Sequence, residues 1–398
     1  MGAVALAAVL ISRTSDSLGD YPTDAAPAID AFAAGQIGDG LAAQPLMGLF
    51  SILVRAPFAA LAGGSELDAY RWGAVPCIFA AGLLGLYLAT LARRRGARLP
   101  VQALIVALAM FNPLTFEALA LGHPEEILTG ALAVGAVAVA SQGRLVPAAL
   151  LLGLALATKQ WAVIAILPVL MAAPTHRVRL AAGAAAVAVA LTLPSILAAP
   201  GGFVEVQSTA ADTQRVVGQW SVIYPVAPIE VIDLEVAGRT VAVERRYLPE
   251  PLGQVSHPLI VLLALLIPLV LALRRGRFAL SGPDAMALLA LLALLRCGLD
   301  PVNNIYYHAP FLLALLGWDS LEGKGVPLRA LAATAVAAAF WGWAVDLRDP
   351  AFVNAAYTAA FLGATLAIAA ALARAPLSRR RLERGPSSRP RTQPAQPA

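Results

Sequence analysis

Charge is what this chain has least of. Asp, Glu, Lys and Arg together make up 13% of its 398 residues, against 59% hydrophobic ones, and the mean hydropathy is +0.74. A water-facing globule needs far more charge to cover its surface, so an ordinary soluble domain is excluded and a polytopic membrane protein is implied. Cysteine is nearly absent. Cys77 and Cys297 both lie in apolar runs without ligand spacing, which excludes a disulfide framework and a cysteine-based zinc site. Only two lysines occur, Lys159 and Lys324. There is no Walker-type glycine loop, serine nucleophile elbow or zincin motif, so ATP-driven transport and membrane proteolysis of those kinds have no support. The formal net charge of +5 is carried by arginines clustered between apolar runs, which reads as membrane topology and not as a nucleic-acid surface.

Long apolar runs are what the chain has instead. Stretches suited to roughly 30 Å of hydrocarbon lie near residues 70–92, 101–121, 127–140, 180–199, 258–273, 285–299, 305–316, 330–345 and 351–373. A longer run, 145–171, is cut by Thr158-Lys159-Gln160 and predicts two short helices meeting at Lys159. The expectation is an all-α polytopic membrane protein with about 11–12 transmembrane helices. Arg93, Arg94, Arg95 and Arg98, then Arg144, Arg177 and Arg179, then Arg274, Arg275 and Arg277, then Lys324, and the seven arginines after Ala373 belong on the cytoplasmic side. Parity then requires that 145–171 goes out and returns, placing Lys159 near the external face. It also requires that the weak apolar segment 41–62, interrupted by Pro45, Arg55 and Pro57, is re-entrant or interfacial.

On this scheme the membrane domain covers residues 1–373, with external loops at 13–40 and 200–257, in a bacterial-type plasma membrane. Residues 374–398, rich in Pro, Ser and Arg, are expected to form a disordered basic cytoplasmic tail against anionic lipid. Alternation in 229–235 and 240–245 about Ala237-Gly238 predicts a small external hairpin. Residues 1–12 are short for a span and lack the basic flank of a signal peptide. No internal repeat is visible, which weakens the case for an inverted-repeat transporter.

The unusual polar groups all fall on the expected external face. A charge at the bilayer centre costs about 2.5–3.5 kcal/mol, so Lys159 in its apolar run calls for a partner, a cavity or a membrane edge. A flexible ammonium there suits a phosphate, with Gln160 and Trp161 adding a hydrogen bond and an interfacial ring; a snorkelling structural lysine is the plainer account. Gly122-His123-Pro124-Glu125-Glu126 joins two apolar runs, and helix capping by itself would explain both acids. His123 beside two glutamates also makes a hydroxyl or metal site, but no complete ligand set is visible and no metal is expected. The first loop holds Asp16, Asp20, Asp24, Asp30 and Asp39; Asp20 and Asp24, just before an expected helix ending near Gly35, are the best candidates for a general base. In the segment 296–308, Arg296 and Asp300 stand four apart and would pair on a helix. Alternatively Arg296 grips a phosphate while Asn303, Asn304, Tyr306, Tyr307 and His308 contact sugar hydroxyls.

Three segments resemble the polytopic glycosyltransferases of the GT-C superfamily, and among them the polyprenol-phosphate-mannose-dependent mannosyltransferases of glycosyltransferase family 87. They are Asp20-Tyr21 with Ala34-Gly35, Gln44-Pro45 and Arg55-Ala56-Pro57-Phe58; Leu121-Gly122 through Gly143-Arg144 to Leu152-Gly153-Leu154-Ala155 and Thr158-Lys159; and Arg296, Asp300-Pro301, Tyr306-Tyr307 and Pro310. The resemblance implies a GT-C-like helical bundle and an extracytoplasmic transfer, with inversion, of a hexosyl unit from a polyprenyl-phosphate-linked sugar to a glycan or glycolipid acceptor. Asp20 would be the base, with Asp24 as rival, and Lys159 would hold the donor phosphate with Arg296 beside it. Substrate contacts would come from His123, Glu125, Glu126, Gln160, Trp161, Asp300, Asn303, Asn304, Tyr306, Tyr307 and His308. Membrane lipid is the only other partner implied, and no free cofactor is needed. The chain departs from the family's Gly-Gln-x-Asn, with Gly122-His123-Pro124-Glu125 in its place. Two other classes fit the composition: a secondary transporter, which needs these charges at the membrane midplane, and a non-catalytic lipid-binding subunit, which lacks a competent base.

Overall fold

The computed structural model describes residues 1–45, 47–212, 215–236, 239–323, 325–342 and 349–374. The protein is an all-α polytopic membrane protein. Six of its described helices are long and apolar enough to cross a bilayer: Glu66–Arg94, Leu99–Ala120, Arg177–Ala198, Leu252–Arg275, Gly282–Leu299 and Pro350–Arg374. The rest of the expected crossings fall on shorter helices, among them Pro124–Ala140, Leu145–Leu156, Ala309–Glu322 and Leu328–Gly342. Leu99–Ala120 is interrupted after Met110, where Asn112 begins a new helix by accepting the Thr115 N–H on its side chain. Lys324, the Ala237-Gly238 turn and the tail from residue 375 onward lie outside the described residues.

Pro124–Ala140 is the axle of the bundle. It is apolar on every side apart from its first turn, and every one of its residues is buried. Gly130 and Gly135 keep it slim; a Cβ at Gly130 would stand 3.1 Å from the Cα of Pro310 on the next helix. Glu66–Arg94, Leu145–Leu156 and Ala309–Glu322 pack around it. The outer helices Arg177–Ala198, Leu252–Arg275 and Pro350–Arg374 leave Val189, Leu197, Leu265, Leu269 and Leu366 exposed, the surface that hydrocarbon must cover. A hairpin pairs Ile229–Val236 with Arg239–Arg246; each strand runs one residue further toward the turn than the alternation predicts, and the second also one residue further at its other end.

Contacts sort the polar groups into two ends. At one end Pro174 lies against Gly143, Gly282 against Ser141, Arg177 over the Phe278 ring, and Arg275 donates to the Leu372 carbonyl at 2.6 Å. The arginines at 144, 177, 179, 274, 275 and 277 therefore share that end, as their spacing predicts. At the other end stand Glu125, Glu126 and Lys159. The run 145–171 breaks where expected: Leu145–Leu156 climbs to Lys159, which is extended (φ −148°, ψ 139°), and Gln160–Ala165 with Ile166–Ala172 returns to Pro174 beside Gly143. The segment 41–62 contributes Leu49–Ala59, whose 11 residues reach about 16 Å, half a bilayer.

Candidate functional site

The axle helix buries two carboxylates in its first turn, and a buried carboxylate must be paired or neutralised. Four segments converge to supply partners. Glu125 is fully buried: its Oε1 accepts from His123 Nδ1 at 2.9 Å and from Lys159 Nζ at 3.1 Å, and its Oε2 from Arg55 Nη1 at 3.3 Å. Glu126 Oε1 lies 3.4 Å from Arg296 Nη2 and 3.8 Å from Lys159 Nζ, while its Oε2 has no hydrogen-bond partner among the described residues. Both acids sit in the first turn, where helix-end charge favours them, and each is in addition an ion-pair hub.

Local breaks place these cations. The helix Leu145–Leu156 ends with free carbonyls at Ala157 and Thr158, and the Phe50 and Gly48 N–H groups take them at 3.1 and 2.8 Å. This docks Leu49–Ala59 against the break and aims Arg55 at Glu125. Gly48 permits the approach, since a Cβ there would sit 2.1 Å from the Ala157 oxygen. Arg55 is itself fully buried, beside the Tyr21 ring and the Met47 sulfur. It was not among the sequence candidates, although a charge inside an apolar stretch is the same signal that singles out Lys159.

Arg296 ends the Gly282–Leu299 span. Its guanidinium is sandwiched by Trp161 at 4.9 Å and Tyr307 at 4.2 Å. It pairs with Glu126 and not with Asp300, four residues on. Asp300 instead takes the Val302 N–H at 3.1 Å and faces His257 at 3.4 Å. Between these groups lies a cavity of about 350 Å³ with Glu126, Lys159, Trp161, Arg296, Asp300 and Tyr307 at its polar end. Val163, Ile164, Ile260 and Val261 form its apolar side, with Gln160 and His257 also on the wall. Arg296 Nη1 and the Trp161 indole nitrogen are buried there without a hydrogen-bond partner among the described residues. Such orphaned donors ask for an acceptor.

The first loop reaches this cluster over Gly122. Its positive φ (+88°) and missing Cβ let residues 18–21 lie against the turn, where the Asp20 N–H donates to the Leu121 carbonyl at 3.1 Å. His123 Nε2 then meets Asp20 Oδ2 at 3.1 Å. That contact holds the Asp20 carboxyl below its ordinary range. Asp24 is half-buried, with Thr23 Oγ1 at 3.1 Å as the one side-chain hydrogen-bond partner of its carboxylate among the described residues, and burial pushes its carboxyl up. Asp20, Asp24 and His123 each bring a possible metal-ligand atom within 4.8 Å of the others, but both nitrogens of His123 are already committed to carboxylates.

Sequence candidates therefore divide. Asp20, His123, Glu125, Lys159, Glu126 and Arg296 form one chain of contacts, which meets the cavity at Glu126, Lys159 and Arg296; Trp161, Asp300 and Tyr307 join these three on the cavity wall, and Asp20, His123 and Glu125 stand behind it. Tyr306 stacks on His123 at 4.6 Å and takes the Asn304 amide at 3.2 Å. Asn303 and His308 go elsewhere: both bind the Tyr357 hydroxyl at 3.0 Å, and Asn303 also donates to the Trp220 carbonyl. A larger apolar cavity of about 700 Å³ between the last helices has His308 and Arg329 on its wall, both paired, and the Trp341 indole nitrogen without a partner among the described residues; it holds no charge cluster like that around Glu125 and Glu126.

A family model described as glycosyltransferase family 87 matches residues 48–299, more than half the chain. The matched segment carries Arg55, Glu125, Glu126, Lys159 and Arg296; Asp20 and Asp24 precede it. No curated protein and no solved structure matches.

Proposed function

The chain belongs to glycosyltransferase family 87, and on that premise we propose that it moves a hexosyl unit, mannosyl in our reading, from a polyprenyl-phosphate sugar to a glycan or glycolipid acceptor on the extracytoplasmic side of the plasma membrane. The observation that supports this most is the cavity holding Lys159 and Arg296. Around the two buried glutamates three permanent cations, Arg55, Lys159 and Arg296, face two carboxylates, and His123, bridging Glu125 and Asp20, adds one charge of each sign with Asp20. One positive charge is left over beside orphaned donors and an apolar wall. That combination suits an anionic head on a hydrocarbon chain.

The reaction follows from the charges. The acceptor oxygen attacks the anomeric carbon as the bond from that carbon to the phosphate oxygen breaks, giving inversion. The hydroxyl proton passes to Asp20, and the leaving polyprenyl phosphate gains a negative charge that Lys159 and Arg296 stabilise in a partly dehydrated site. Asp20 can return its proton to water, since its side chain is 63% exposed. Gathering of the charges at one end of the bundle, with the arginine clusters at the other, favours transfer at a membrane face over a transporter's midplane relay.

The test is transfer from a polyprenyl-phosphate-mannose donor by purified protein in liposomes. Asp20→Asn is expected to lose at least about 100-fold in kcat, the usual contribution of a general base, with normal membrane insertion. Full activity of Asp20→Asn together with full activity of Asp24→Asn would remove the assigned chemistry.

A further inference from the structure

Both ring nitrogens of His123 face carboxylates: Nδ1 lies 2.9 Å from Glu125 Oε1 and Nε2 lies 3.1 Å from Asp20 Oδ2. An ionised carboxylate only accepts, so holding both contacts takes an N–H on each nitrogen, which is the imidazolium; the neutral ring can hold just one. The ring cannot turn away to find other partners. It is 5% exposed and stacked on Tyr306 at 4.6 Å with 25° between the planes. Glu125 on its far side is fixed in turn by Arg55 and Lys159. Asp20, by contrast, is largely in solvent, and among the described residues its carboxylate has no other side-chain partner.

We propose that His123 is a positioning residue that selects Asp20 over Asp24 as the base, through a fixed chain running Arg55, Glu125, His123, Asp20. This rests on the glycosyltransferase reading, in which a first-loop aspartate takes the acceptor proton. It replaces the direct sugar contact expected of His123, because no ring nitrogen is left to make one. An exposed carboxylate otherwise samples several rotamers, and a base displaced by about 1 Å loses on the order of 100-fold in rate. Among the described residues Asp24 has no such tether, its side-chain partner being its neighbour Thr23.

The charged groups that face His123 are Asp20 and Asp24 of the first loop, Glu125 of its own turn, and Lys159 from the broken helix. Burial and Lys159 act to lower its pKa, the two carboxylates act to raise it, and the net direction is up. Activity in the wild-type protein should then have an alkaline limb, as loss of the imidazolium proton releases one of the two carboxylates. It should also have an acidic limb set by Asp20, whose carboxyl this same contact holds low.

The experiment is kcat and KM against pH for the full-length protein in liposomes with a polyprenyl-phosphate sugar. His123→Gln is expected to lower kcat about 100-fold with donor KM little changed. It should also abolish the alkaline limb and move the acidic limb upward, since Asp20 has lost its cation. Asp20→Asn should fall at least about tenfold below Asp24→Asn. Equal loss at every pH in His123→Gln, with both limbs kept, would mean a merely structural histidine and would overturn the proposal. Should that variant fail to insert, a wild-type profile without an alkaline limb overturns it equally. Asp24→Asn inactive with Asp20→Asn active refutes the selection alone and leaves the glycosyltransferase reading standing; both active refutes both.

Discussion

Lys159→Met is the perturbation that most directly probes the cavity. The ammonium lies 3.1 Å from Glu125 and 3.8 Å from Glu126, and its removal takes away the one cation in excess over the glutamates. Neither carboxylate is orphaned: Glu125 keeps Arg55 and His123, and Glu126 keeps Arg296. The stability loss should therefore fall short of the 3–5 kcal/mol of a broken buried pair, roughly speaking. What is lost is a donor to the leaving phosphate, worth about 2.7–4 kcal/mol or 10²–10³ in rate. The assay is kcat/KM for a radiolabelled polyprenyl-phosphate sugar in liposomes, with thermal unfolding in detergent as the control for folding. Lys159→Arg, which keeps the charge, should lose much less. A Lys159→Met protein within about threefold of wild-type kcat/KM would refute the assignment of this lysine to the phosphate.

Three further outcomes are expected. Gly122→Ala places a Cβ 2.6 Å from the Leu18 oxygen at a φ of +88°, so it should cost at least about 1 kcal/mol and lower transfer by lifting Asp20 off His123; an unaltered melting temperature and rate would argue against that docking. Arg55→Met leaves Glu125 Oε1 with His123 and Lys159 but takes the partner of its buried Oε2, so about 1–3 kcal/mol of stability should be lost in detergent unfolding; no measurable change would show the pair to be energetically idle. Cysteines introduced singly at Ser17 and Gln142, both exposed, should differ in intact cells: an impermeant maleimide labels residue 17 and spares residue 142. Labelling of 142 with protection of 17 would invert the orientation.

Much of the fold was legible in the residues taken in order. Bilayer thickness demands long apolar stretches, so composition alone pointed to the helices, and Thr158-Lys159-Gln160 marked the break because hydrocarbon does not tolerate such a triplet unpartnered. The arginine clusters predicted which loops share an end, and contacts such as Pro174 on Gly143 agree. Lengths were harder to read. Pro124–Ala140 lies wholly inside protein, where a helix need not match the membrane's thickness, and the helix Pro200–Asp212 carried no signal strong enough to separate it from the external loop.

Linear order determined which groups are chemically out of place: a lysine, two adjacent glutamates and an arginine in apolar surroundings, together with acids in the first loop. It had no means of pairing them, because ion pairing depends on distances across segments up to 170 residues apart, as between Glu126 and Arg296. Only the tertiary structure decided that Arg296 meets Glu126 and not Asp300, that Arg55 joins the cluster, that Asn303 and His308 leave it for Tyr357, and that His123 stands between two carboxylates. The physical reason is that a buried charge must find its partner wherever packing brings one within about 4 Å, whatever the separation along the chain.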